Sequence, residues 1–157
     1  MADTAVPLLS VRGVTVRFGG IVALDGVSFD VENAFLRHLR TGSHEVLRGI
    51  NAPVRNQNWA TVAPEVSNLV IDDHGDSFRL TFDVRCAEDG LDFRWKGTLT
   101  GSAAGVVEFS FDGEAHTTFK RNRIGFCVLH GPSAAGRSWV IESVDGVSAA
   151  GSFPRLI

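Results

Sequence analysis

The chain has 157 residues, 44% of them hydrophobic and 21% charged, which is enough apolar material for one soluble domain with its own core. A net charge of −3 excludes a basic footprint for nucleic acid or an anionic membrane surface, and no apolar run approaches the roughly 18 residues of a spanning helix. No basic stretch followed by an apolar one marks a secretory leader, so the expected compartment is the cytoplasm.

In the first 32 residues, Leu9, Val11 and the alternation Val14, Val16, Phe18 predict one strand. A turn is expected at Gly19-Gly20, and a second strand through Val27, Phe29 and Val31. The string NAFLRHLRTGSHEVLRGI predicts two short strands about the turn Thr41-Gly42-Ser43. Pro53 and Pro64 exclude a continuous helix between residues 51 and 73, where Trp59 is expected to pack.

From residue 78 the period-2 signal is strong. Phe78, Leu80, Phe82, Val84 and Cys86 share one face, and Arg79, Thr81, Asp83 and Arg85 the other. After a turn at Glu88-Asp89-Gly90, Leu91, Phe93, Trp95 and Leu99 alternate with Asp92, Arg94, Lys96 and Thr98. A small-residue turn then leads to Val107, Phe109 and Phe111. IGFCVLH is apolar on both faces, as a central strand would be, and SWVIESV reads as a strand ending at the hairpin signal Asp145-Gly146. Successive one-faced strands must bury that face against a second layer, so the predicted class is all-β, an antiparallel β-sandwich.

The chain carries two family resemblances. LLSVRGVTVRFGGIVALDGVSFDV is similar to the first strands of ABC-transporter ATP-binding subunits of the branched-chain amino acid type, which implies adenine stacking for Phe18. The phosphate loop that family needs is missing after Glu32, so residues 1–32 are expected to be a vestigial strand pair without ATP binding or transporter partners. Residues 33–157 resemble the N-terminal region of the D-apionate lactonase family through HEVLRGI, NWATVAPEVSNL, LDFRWKGTLTG, VEFSFDGEAHTTFKRNRIGFCVLH, ESVDG and FPRLI. That likeness implies a mutarotase-like carbohydrate sandwich from a longer enzyme whose substrate is a sugar-acid lactone, with the catalytic residues elsewhere. The change of character between Val31 and Phe35 points to a fusion of two coding stretches and a truncated second piece. Deleting residues 1–32 is then expected to leave stability unchanged or better. A remnant of an ATP-binding subunit and a stand-alone carbohydrate-binding module are the competing readings.

The candidate ligand group is Arg121, Asn122, Arg123 and His130, which bracket IGFCVL and offer bidentate donors and an amide to a sugar or carboxylate. The bland reading is a solvated strand entry with Arg stems lying on aromatic surface. GPSAAGRS resembles a phosphate loop, but the strand-forming Trp139-Val140-Ile141 after it could not supply the helix N-terminus that holds an anion. Asp72, Asp73, His74 and Asp76 read as an acidic turn, and Cys86 and Cys127 as buried free thiols. Cys127 and His130 lie three apart in one strand and so point to opposite faces. No catalytic residue, metal or cofactor is expected in the chain. Among Glu114, His116 and Glu142 nothing forces general acid–base chemistry.

Overall fold

The computed structural model describes the backbone of residues 9–18 and 21–155, and the side chains from residue 28 to 155. The chain is almost wholly antiparallel strand. The elements are β1 (Leu9–Phe18), β2 (Ile21–Glu32), β3 (Phe35–Thr41), β4 (His44–Asn51), β5 (Val54–Asn56), β6 (Pro64–Asp73) and β7 (Phe78–Glu88). They continue as β8 (Leu91–Gly101), β9 (Val107–Ala115), β10 (Arg121–Ile124), β11 (Cys127–Leu129), β12 (Ser138–Glu142) and β13 (Ser148–Ser152).

Two sheets face each other. One has the order β1-β2-β3-β4-β11 and the other β6-β7-β8-β9, with two-stranded ribbons β10-β5 and β12-β13 beside them. The expected faces are the observed ones: Leu80, Phe82, Val84 and Cys86 of β7, and Leu91, Phe93, Trp95 and Leu99 of β8, are all buried. Against them lie Phe29 and Val31 of β2, Leu36 of β3, and Val54 and Val62, in one continuous core. The rings of Phe29 and Phe78 stand 5.5 Å apart across the two layers. β2 pairs with β3 from Val27↔Thr41 to Glu32↔Phe35, and its Phe29 and Val31 are 1% and 2% exposed.

Each sheet carries a bulge opposite a core phenylalanine. In β3, His38 takes φ +55 and the register with β2 slips around Phe29. In β6, Asn68 takes φ +51 and the register with β7 slips around Phe82. An extra residue in one strand bends and twists it, and here it brings Leu39 and Leu69, the residues after each bulge, against the core. Register is also held where an aromatic ring lies over a glycine directly across the ladder. Phe82 faces Gly97, and any Cβ there would run into the Phe82 ring.

Three expectations are corrected. Trp59, expected to pack, is 56% exposed at φ +67 in the turn after β5, because its neighbours Asn58 and Ala60 are tied to the Asn56 carboxamide while the indole projects outward. IGFCVLH is not a central strand. Gly125 at φ +134 breaks it into β10 and β11, and β11 pairs only with β4, leaving Val128 and Leu129 exposed at a sheet edge. Phe126, between the two, crosses to the other sheet and packs on Phe109 and Phe111 at 5.0 and 5.9 Å. Cys86 is buried as expected, whereas Cys127 is only half-buried.

Candidate functional site

The four residues singled out in the sequence do not converge. Arg121 lies opposite Asn56 in the β10-β5 ribbon, whereas Leu129, the neighbour of His130, lies opposite Gly49 of β4 in the five-stranded sheet. Arg121 and Arg123 are exposed and Asn122, between them, is half-buried. His130 stacks near Phe153, with ring centroids 4.6 Å apart. Gly131 follows it beside the Glu45 carboxylate. Glu45 itself accepts from Arg48 at 3.0 Å and has His38 at 3.6 Å and Arg40 at 3.9 Å. The Arg48 hydrogen bond, above all, holds its carboxyl below the usual carboxylate range.

Phe18 belongs to β1, and its side chain, with the Gly19-Gly20 turn, lies outside the described residues. GPSAAGRS contains only the three-residue 3-10 turn Pro132–Ala134 before β12 begins, so no helix follows it to hold a phosphate. The acidic turn at 72–76 is held by its own backbone, with the Gly75 amide donating to Asp73 and the His74 amide to the Ser77 carbonyl. Among the described residues no cluster of three or more His, Cys, Asp or Glu is placed to hold a metal ion. No helix among them is long and apolar enough to cross a membrane.

On the outer face of the β6-β7-β8-β9 sheet, charges alternate across the ladder. Asp83 faces Lys96, Lys96 faces Asp112, and Arg94 faces Glu114. Arg85 and Arg94 stand directly opposite each other, a like-charge pair that would repel. Asp92 resolves it: its carboxylate accepts from Arg94 at 3.0 and 3.1 Å and from Arg85 at 3.2 Å. Those two guanidinium groups hold the Asp92 carboxyl far below the usual carboxylate range. The amide of Asp92 is taken by the Thr117 hydroxyl, which in turn donates to the Gly90 carbonyl. The arrangement is a satisfied network, and the outward positions of these strands carry no aromatic ring on which a sugar could stack.

A different place holds unsatisfied chemistry. At one mouth of the sandwich, between the sheets, a half-open cavity of about 260 Å³ is lined by the β2–β3 turn, by residues 51–54 and 61–64, and by Cys86 and Trp95. Two of its side chains carry buried polar atoms without a partner: Asn51 Oδ1, an acceptor, and Trp95 Nε1, a donor. The Trp95 indole is near the Cys86 sulfur, without the geometry of a hydrogen bond. Burial pushes the Cys86 thiol up, and so keeps it a neutral, unreactive wall group. At the rim, Arg37 donates to Glu32 at 3.1 Å and lies over the Phe35 ring. Asn33 and Ala34 turn the chain there with φ of +47 and +61, the two positive angles that a two-residue hairpin with the right twist requires. The asparagine fits that rule; the alanine occupies a place usually given to glycine. Sequence reading missed this site because its walls come from five separate stretches, and in the sequence Trp95 is one of the apolar residues of a strand while Asn51 carries no signal.

The comparisons with known proteins agree on one lineage. The family model for the N-terminal domain of D-apionate lactonase matches residues 20–157. A D-apionate lactonase of Brucella anthropi is 29% identical over 133 residues, which is 83% of this chain and 22% of that protein. The chain therefore spans about a fifth of the length of the curated relative it matches. No solved structure matches. The family match takes in residues 20–32, within the stretch expected to be a transporter-type remnant, and by its extent this chain belongs to the D-apionate lactonase N-terminal domain family.

Proposed function

We propose that this chain is a non-catalytic β-sandwich domain of a lactonase-like protein, which supports a site for a sugar-acid lactone built by residues beyond this domain. The observation that carries the reading is the family match over residues 20–157, set against a relative of which the matched stretch is only 22%. It is supported by the satisfied outer face, where Asp92, Arg85 and Arg94 serve one another. A lactone hydrolase needs an activated water or nucleophile and donors for the developing oxyanion, which this reading places beyond this domain. We further place β2 inside the folded unit, since Phe29 and Val31 pack in the same core as Phe82 and Leu80. No observation favours an ATP-binding remnant. A carbohydrate-binding module keeps one observation in its favour, the cavity at the sandwich mouth.

The test is hydrolysis of D-apionate lactone by the purified chain beside the full-length Brucella anthropi relative. The chain alone should show no turnover above buffer. Deleting the matching segment from the relative should lower its activity, and grafting residues 20–157 of this chain in its place should restore part of it. Turnover by the chain alone would overturn the non-catalytic reading. Unchanged kcat/KM after the deletion would overturn the supporting role.

A further inference from the structure

We propose that the β12–β13 ribbon, with the β11 edge beside it, is the face on which the downstream part of a lactonase-like polypeptide docks. This docking rests on the reading that the chain is one domain of a longer protein, and it names the surface through which that domain gives its support.

Exposed apolar side chains are not spread evenly over the molecule. Of the twelve large ones exposed among the described residues, Val128, Leu129, Val140, Ile141, Val144 and Val147 fall between β11 and β13. The two elements touch: the His130 ring, just past β11, meets Phe153, just past β13, at 4.6 Å. Elsewhere charge is paired at the surface. Asp92 serves Arg85 and Arg94 on one sheet, while Glu32 takes Arg37 and Glu45 takes Arg48 on the other. Between Ser138 and Phe153, by contrast, only Glu142 and Asp145 are charged, and Asp145 accepts from the Ser143 hydroxyl. Apolar side chains gathered in this way mark an interaction surface.

The ribbon also needs cover on both sides. Val140 and Ile141 are neighbours in β12, so they point to opposite faces, and both are exposed. Laying the ribbon down on its own sandwich would cover one of them and leave the other in water. Its occupant therefore presents an apolar cleft that takes the ribbon between two walls.

The place of the ribbon in the family selects that occupant. The family model that runs through it describes an N-terminal domain, and the matched stretch is 22% of the Brucella anthropi relative. In such a protein the downstream polypeptide leaves from the β13 side, tethered close to Val140. A short tether holds two surfaces at an effective concentration on the order of millimolar, so an apolar face of modest size suffices. A second copy of the chain would have to find the same face without that help.

The test grafts residues 20–157 in place of the matching segment of the full-length Brucella anthropi relative and follows maleimide labelling in the graft and in the 157-residue chain. Val140→Cys is the probe and Ser110→Cys, exposed on β9, is the reference; mass spectrometry of the peptide holding the new thiol separates it from Cys86 and Cys127. Val140→Cys should label about tenfold or more slowly in the graft than in the chain alone, as a group closed off by a docked surface does, and Ser110→Cys equally in both. Equal Val140→Cys rates overturn the proposal even where the graft is active, which leaves the supporting role standing. Protection in an inactive graft does the reverse: the docking holds and the supporting role fails. Labelling in the chain alone that slows as its concentration rises gives the face to a second copy, and also overturns the proposal. A further arm needs only the chain. The double change Val140→Asp and Ile141→Asp should move its Tm by no more than about 2 °C, as at an exposed surface, and should cost the graft several degrees more by burying charge. A loss in the chain alone like that of a core substitution shows the ribbon already packed, and overturns the proposal.

Discussion

The β7–β8 and β12–β13 hairpins both carry large apolar residues and end in opposite environments. Both close through a turn with a glycine at positive φ, Gly90 in one and Gly146 in the other. In β7, Leu80 and Phe82 are 0% and 2% exposed, while in β12, Val140 and Ile141 are 72% and 60% exposed. The first hairpin has a second sheet facing it, from which Phe29 reaches across to Phe78. The second forms a separate two-stranded ribbon, held by Trp139 over Gly151 and by Phe153 against His130. Alternation thus specifies a strand and which residues share a side. Whether that side is buried depends on a layer contributed from elsewhere in the chain, and an isolated two-stranded ribbon is only marginally stable by itself.

The largest test of that contrast is at β2, which supplies the facing layer. Removing residues 1–32 takes Phe29 and Val31 out of the core, so the truncated chain should lose its cooperative thermal transition, the reverse of what a vestigial segment would do. A truncated chain melting like the full one would show that β2 contributes nothing. Next, Phe82→Ala should lower unfolding free energy by about 3–5 kcal/mol, as large-to-small changes at buried aromatics do; a chemical denaturation curve reads it directly. On the exposed ribbon, the matching change should be small.

Asp92→Asn bears on the outer face of the same sheet and is best read against pH. Asp92 has a depressed carboxyl pKa in the folded chain, held by Arg94 first and then Arg85. The ordinary carboxylate value is about 3.9 in the unfolded chain, so the native state keeps Asp92 ionised where the unfolded state would already take up a proton. Its stabilising effect is fully present above about pH 5 and is lost as pH falls through and below the unfolded value. The difference in Tm between parent and variant should be constant from about pH 5 to 8 and should shrink below about pH 4. A difference that grows on acidification would refute the assignment. The smallest effect is expected for Ile141→Thr, within about 0.5 kcal/mol, the usual range for surface substitutions. A loss like that of Phe82→Ala would mean that the ribbon packs on something in solution.

Legibility in the sequence divides along the same line. The faces of β7, β8 and β9, and the turns at Gly42, Gly90 and Gly146, are local properties. A period of two and a residue tolerant of positive φ carry them. Trp59 escapes a sequence reading because aromaticity alone favours packing, while its position in the turn after β5 is set by how Asn56 binds the surrounding amides. IGFCVLH escapes it because a run apolar on both faces suits a central strand; here Phe126 instead leaves the ladder to join Phe109 and Phe111. The residues from Arg121 to His130 read as one group in sequence, but the break at Gly125 sends β10 to pair with β5 and β11 with β4.

By itself the sequence determined an all-β chain, the inward and outward sets of residues along each strong strand, and a family likeness strong enough to survive at 29% identity. Only the tertiary structure decided that β2 shares the core, that β11 is an edge, and that Asn51 and Trp95 meet at one cavity. The physical reason is range. Strand alternation and turn chemistry act between neighbours in the chain, whereas layer pairing and cavities are made by residues tens of positions apart, brought together by the burial of apolar surface.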